Sequence, residues 1–284
     1  MSIAILNGEF VERNQAKVDI EDRGYQFGDG IYEVIRVYNG HMFASQMHLD
    51  RLLECAEKIN LVLPFSISEI EQKLTALIEK NQLDSGIVYL QFSRGVSARN
   101  HAFPAPTTVA SFVAYTKKLE RPIKTIKHGA RAVLVEDIRW HHCDIKSLNL
   151  LGNLLAKQKA VESGCEEAVL HRGENITEGS SSNISIIKNG VLYTHPADQY
   201  ILNGITRQVM LSLCKNLNLQ YEEREFSIEE LFAADEVIQT STTAEITPIV
   251  AVSDRVIGTG EPGDFTVRLG ELFELEIIRQ CGAV

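Results

Sequence analysis

Three Asn-Gly pairs limit the fold more than any other feature of this sequence. Asn7-Gly8 lies between Ile3–Leu6 and Phe10-Val11, Asn39-Gly40 between Ile31–Tyr38 and His41-Met42-Phe43, and Asn189-Gly190 between Ile184–Lys188 and Val191–Thr194. A two-residue connection of this kind needs φ > 0 at both central positions, which Asn and Gly adopt cheaply, and it joins antiparallel strands. Helical patterns alternate with these hairpins. Leu49, Leu52, Leu53, Ala56 and Ile59 give one apolar face to a helix capped by Ser45 and reaching about Asn60, and Ile70, Leu74, Leu77 and Ile78 do so for Ser68–Lys80. Strands are expected at Ile87–Ser93 and Val109–Tyr115, around a loop, Arg94–Thr108, that holds Gly95 and two prolines. The polar stretch Lys117–Lys127, with Arg121-Pro122, reads as an interdomain linker. It divides the chain into a smaller domain, 1–118, and a larger one, 119–284.

The second domain opens with strand Ala132–Val135 and a helix, Leu150–Ser163, closed by Gly164. Strands Glu167–His171, Ile201–Asn203 and Glu236–Gln239, a helix from Thr206 through Leu217, a capping box at Ser227-Ile228-Glu229-Glu230 and a closing helix Phe265–Arg279 complete it. The class is α/β with mixed rather than purely parallel sheets. The net charge of −10 and the lack of any Lys/Arg run exclude a nucleic-acid footprint, and any anionic ligand needs local cations. No apolar run approaches the ~18 residues of a membrane span. The N-terminus reads as a strand entering a turn, not a signal peptide. Cys55, Cys143, Cys165, Cys214 and Cys281 are odd in number and never spaced C-x-x-C. That argues against a disulfide framework or a cysteine metal site, and for a reducing, cytoplasmic setting.

Several polar groups stand out. Val135–Gly152 brings Lys146 against an apolar run; a lysine amine acts as a nucleophile only when unprotonated, a state favoured by desolvation and by nearby cations such as Arg139. Gly204-Ile205-Thr206-Arg207 opens a helix, where free N–H groups suit an anion and Thr206 serves as N-cap and phosphate ligand. Thr240-Ser241-Thr242-Thr243 offers four hydroxyls after an apolar strand. Glu178, within Thr177–Asn183, is a carboxylate able to hold a heteroaromatic nitrogen protonated. Arg51 lies beside the apolar stripe of its helix, and Arg99-Asn100-His101 puts two cation-capable side chains in one loop. Each has a bland reading as a solvated turn, cap or surface ion pair. Together they supply what pyridoxal phosphate requires: an amine, a phosphate site, a carboxylate for the ring nitrogen and a grip on a substrate carboxylate.

At these residues the chain resembles the class-IV pyridoxal-phosphate aminotransferases, which include D-amino-acid, branched-chain and aminodeoxychorismate-lyase branches. The likeness covers essentially the whole chain. It rests on Glu21–Gly30, on Asp137-Ile138-Arg139-Trp140 with Cys143–Asn149, on Thr177–Asn183 and on Ser241–Pro248, and it is nearest to the D-amino-acid branch. The resemblance implies fold type IV, two α/β domains with the cofactor between them, and Lys146 as the Schiff-base lysine. It implies Glu178 as partner of the pyridine nitrogen, and Arg51, Ile205, Thr206 and Thr242 as the phosphate cup, with Ile205 acting through its backbone N–H. Tyr32, Arg99 and His101 match a substrate-carboxylate trap in which the arginine and histidine come from the partner subunit of a homodimer. The implied reaction is ping-pong transamination between a D-amino acid, such as D-alanine or D-glutamate, and 2-oxoglutarate or pyruvate. Branched-chain L-transamination and lyase chemistry are the alternatives on the same fold, and a non-catalytic anion-binding module is the alternative of a different class.

Overall fold

The computed structural model describes residues 2–283. The chain forms two compact units. One comprises the chain up to Glu120, Ile145–Asn149 and the residues from Ile277 on; the other comprises Arg121–Asp144 and Leu150–Glu276. A division of the chain at 118/119 places Lys146 in the second domain, whereas the structure clusters its segment with the first. The reason is backbone pairing, described with the site below.

The first unit contains β1 (Ile3–Leu6), β2 (Glu9–Glu12), α1 (Arg23–Phe27), β3 (Gly30–Tyr38), β4 (His41–Met42), α2 (Ser45–Lys58), α3 (Ile67–Asn81), β5 (Gly86–Ser93) and β6 (Ser111–Lys118). Its sheet runs β2-β1-β6-β5-β3-β4, antiparallel throughout. The two Asn-Gly turns deliver the expected hairpins, with φ of 51° and 91° at Asn7 and Gly8 and 48° and 74° at Asn39 and Gly40. α2 and α3 cover one face, burying Leu49, Leu52, Ile70, Leu74 and Leu77 against Ile31, Ile35, Leu90 and Phe112. Leu53, expected in this core, points outward at 41% exposure. Ser45 does not cap α2; the N-cap is Ala44, in the left-handed region, and the Ser45 hydroxyl bonds Glu71 instead.

The second unit contains α4 (Ile123–His128), β7 (Ala130–Glu136), α5 (Leu151–Glu162), β8 (Glu167–Arg172), β9 (Asn175–Gly179), β10 (Asn183–Lys188), β11 (Val191–Thr194), α6 (Ile205–Cys214), β12 (Gln220–Glu223), α7 (Ile228–Phe232), β13 (Glu236–Ser241), β14 (Glu245–Val252), β15 (Arg255–Val256) and α8 (Asp264–Cys281), whose last residues cluster with the first unit. Its sheet runs β12-β11-β10-β13-β14-β7-β8-β9, with β15 on β14. It is mixed: β11/β12, β14/β7 and β7/β8 are parallel pairs and the others antiparallel. Val169, Ile184, Ile186, Phe226, Val237 and Ile249 form its core. α5 packs on β7 and β8 through Ala156 and Ala160. Ile201–Asn203 is not a strand, because side chains take up the backbone groups of Leu202. No helix is long and apolar enough to cross a membrane among the described residues.

Candidate active site

Lys146 is fixed through its own backbone. Its carbonyl accepts the Tyr32 N–H at 3.0 Å, Leu148 N–H donates to Gly30 O at 3.0 Å, and Ser147 forms a β-bridge with Ile31. The segment thus docks along the start of β3. Lys146 Nζ lies 4.4 Å from the centroid of the Tyr32 ring. Among the described residues the amine makes no hydrogen bond or ion pair, so its lone pair and its protons are uncommitted. Tyr32 is held in turn by stacking on Tyr89, and Tyr89 on Tyr115.

Beside Tyr32, Glu33 points the opposite way along the strand and is fully buried. Its carboxylate accepts from Arg51 Nε at 2.7 Å and Arg51 Nη2 at 2.9 Å, and lies 2.8 Å from His48 Nδ1. Burial pushes the Glu33 carboxyl up, but the charges of Arg51 and His48 and their hydrogen bonds outweigh it and hold Glu33 well below the usual carboxylate range. Burial draws His48 down, against the pull of Glu33. Reading the sequence missed both Glu33 and His48. The signal was present: Glu33 alternates with Ile31, Ile35 and Val37 on the core face, and His48 and Arg51 stand three apart on the facing helix.

Glu178 is the next-to-last residue of β9, on a strand expected to be a loop. Its carboxylate accepts from Arg139 Nη1 at 2.5 Å, Asn183 Nδ2 at 3.0 Å and Leu202 N at 3.0 Å. Burial pushes the Glu178 carboxyl up, and the charge and hydrogen bond of Arg139 with the Leu202 N–H draw it part of the way back. Arg139 is committed to Glu178 and to Asp137, whose oxygens take Arg139 Nε and Nη2 at 2.8 Å each. These ion pairs turn Arg139 toward Glu178. Burial would raise Asp137; hydrogen bonds and charge from Arg139 and Arg172 bring it to about 2. The serines of Thr177–Asn183 gather on a further buried acid that sequence reading missed: Ser180, Ser181 and Ser182 all donate to Glu167.

α6 starts at Ile205 after Gly204, and no side chain caps it, so Thr206 is not the N-cap expected. The first-turn N–H groups of a helix have no intrahelical acceptor and favour an anion. A Cβ on Gly204 would sit 2.0 Å from Asn183 Oδ1, so only glycine allows this close approach. Asn183 also donates to Leu202 O at 2.7 Å, which ties the entry of α6 to Glu178. Ile205 and Thr206 are buried, and Thr242 is half-buried in the turn between β13 and β14, the two strands against which α6 packs. The first unit carries an uncommitted amine, and the second an uncapped helix start beside a glycine and a buried, aimed carboxylate; in chemistry these groups fit what pyridoxal phosphate needs.

Arg99 and His101 project from the loop between β5 and β6, both exposed. Both lie against the ring of Phe27.

Residues 30–252 match the family model of class IV aminotransferases, and the chain belongs to that family. Such enzymes depend on pyridoxal phosphate, and the mixed α/β architecture is that of fold type IV. Among curated proteins, the chain is 49% identical to a D-alanine aminotransferase of Staphylococcus aureus over 96% of this chain and 97% of that one. It is 48% identical to a D-alanine aminotransferase of Listeria monocytogenes over 98% and 97%. Among solved structures, a branched-chain aminotransferase of Escherichia coli matches with a TM-score of 0.91 at 28% identity, covering 96% of this chain and 93% of that one. A branched-chain aminotransferase of Thermoproteus uzoniensis matches at 0.87 and 28%, with the same coverage.

Proposed function

We propose that this protein transfers the amino group of a D-amino acid, D-alanine or D-glutamate, to 2-oxoglutarate or pyruvate, with pyridoxal phosphate as its cofactor. When bound, the cofactor supplies the sink for the electron pair left at the substrate α-carbon. The chain's own groups do the rest. Lys146 would hold the cofactor through its amine, the same amine that would carry the proton taken from the α-carbon. Tyr32 keeps that amine over the face of its ring. Glu178, held by Arg139, Asn183 and Leu202, would accept the pyridine N–H. The N–H groups of Ile205 and Thr206, the hydroxyls of Thr206 and Thr242, and the guanidinium of Arg51 take the phosphate. Tyr32, Arg99 and His101 take the substrate carboxylate, and so decide which hand of amino acid presents its α-proton to Lys146. The oxo product of the donor leaves before the acceptor binds, so the kinetics are ping-pong.

The observation that carries this reading is the amine of Lys146, fixed through its backbone and, among the described residues, without hydrogen bond or ion pair. The near-half identity to D-alanine aminotransferases supports the D-specific form. We further propose a homodimer in which Arg99 and His101 serve the partner's site. The exposed Leu151, Leu154, Leu155 and Val161 of α5 support it, as an apolar surface suited to cover. Five free thiols support a reducing, cytoplasmic setting.

The branched-chain reading has the solved-structure neighbours in its favour. One panel separates the two: D-alanine, D-glutamate, L-valine and L-leucine, each with 2-oxoglutarate, followed by the cofactor absorbance. Turnover of the D-amino acids alone is expected. Preference for the L-branched donors would move the protein to the other branch, and sustained release of pyruvate from aminodeoxychorismate without an acceptor would make it a lyase.

A further inference from the structure

We propose that Phe27 is a positioning residue for substrate selection: its ring is the platform that holds Arg99 and His101 in the pose that receives a substrate carboxylate. This rests on the carboxylate-trap reading of those two residues. Arg99 Cζ lies over the Phe27 ring, 4.4 Å from the centroid, and the His101 ring lies 5.6 Å from it, tilted by 50°. Among the described residues Arg99 makes no hydrogen bond or ion pair, and it sits in an exposed loop without regular structure. The ring is therefore what orders its guanidinium.

The platform is itself pinned. Phe27 is the last residue of α1, which Asp22 caps through the Gly24 N–H and which Gly28 closes at φ 66°. Arg23 Cζ lies 4.8 Å from the same ring. Buried Arg23 also donates from Nη1 to Asn100 O at 2.6 Å and Ala102 O at 3.3 Å, the carbonyls that follow Arg99 and His101 in the chain. Asp29 fixes Arg23 through Nε at 2.8 Å. One short helical turn thus grips the loop backbone with an arginine and seats its two side chains on a phenyl ring.

The choice of a ring has a chemical reason. A carboxylate of the chain's own would hold Arg99 more tightly but would occupy the N–H fork that a substrate needs. A phenyl face engages the flat of the guanidinium and leaves the in-plane N–H groups free for a bidentate carboxylate.

The experiment uses the holoenzyme with Phe27→Leu and Phe27→Tyr, measuring KM and kcat for D-alanine, the D/L ratio, the cofactor absorbance and Tm. Phe27→Leu is expected to raise KM about three- to tenfold, the range of a lost cation–π contact, and to lower the D/L ratio. Cofactor retention should be intact and kcat should change less than about twofold, since only the carboxylate grip is loosened. Phe27→Tyr should restore KM. An unchanged KM in a folded Phe27→Leu variant overturns the proposal. If that variant does not fold, phenylalanines of increasing ring fluorination placed at position 27 keep the shape while draining the negative face. KM should then climb with fluorination, and a flat series overturns the proposal. Arg99→Ala separates the two claims. A raised KM there with a flat Phe27 series leaves the carboxylate grip standing and removes the platform; an unchanged KM in Arg99→Ala removes both.

Discussion

At the scale of single residues, the chemistry turns on how few partners Lys146 has and how many Glu178 has. Lys146→Ala removes the only group proposed to hold the cofactor covalently and to move the α-proton. We expect a folded protein whose cofactor separates on gel filtration and whose turnover falls about 10²–10⁴-fold or more, as for loss of a general acid–base. Full turnover in that variant would sink the assignment. Glu178→Gln keeps the shape but cannot keep a pyridine nitrogen charged. Turnover should drop at least tenfold while cofactor affinity, read by fluorescence titration, changes far less. Arg99→Ala should raise KM for D-alanine and leave Tm unmoved, because among the described residues the exposed side chain makes no hydrogen bond or ion pair and lies over the Phe27 ring. Lys146, Glu178, Arg51, Thr206 and Thr242 were singled out from the sequence by their residue types taken together and by the resemblance, each alone having a bland reading as a turn, cap or surface ion pair. Glu33, His48 and Glu167 were passed over, because the partners that give them roles lie far along the chain, such as Arg51 eighteen positions from Glu33.

At the scale of elements, turn chemistry was legible and chain direction in loops was not. Asn189-Gly190 produced its hairpin with φ of 50° and 75°, as the residues demand. The box at Ser227 and Glu230 closed as expected, the hydroxyl accepting from Glu230 N and the Glu230 carboxylate from Ser227 N. Ser227→Ala should therefore cost about 1 kcal/mol, seen as a lower urea midpoint with unchanged slope. Ile201–Asn203 misled because the apolar pair Ile201-Leu202 has the look of a short strand. Its N–H and C=O groups are instead taken by Glu178 and Asn183, a competition that no periodicity reveals. Leu53 misled for a simpler reason: an apolar face drawn too wide takes in a residue that the helix turns toward solvent.

At the scale of the whole molecule, the buried acids fix how stability answers to pH. The native Asp137 carboxyl titrates near 2, below its ordinary 3.8, and Glu33 is depressed in the same direction. Stability from such groups is fully present above the unfolded pKa, about 4, and is lost as pH falls through the native value. Asp137, with its side chain shut off from solvent, should account for about 2 kcal/mol of the loss on going from pH 7 to pH 2. Urea midpoints against pH for Asp137→Asn should fall less steeply than those of the parent protein. The first unit has one more consequence, for how it is made. It is assembled from stretches separated by long intervals of chain: Lys146's segment pairs with β3, and Ala44 N and Asn39 Nδ2 bond Gln280 Oε1 and the Cys281 carbonyl. A ribosome that has released residue 120 has supplied every strand of that sheet and neither of these closing pieces. During synthesis the half that presents the lysine must wait, incompletely sealed, until the last turn of α8 has emerged, so chaperone demand should follow the translation rate over the second half of the message rather than the first.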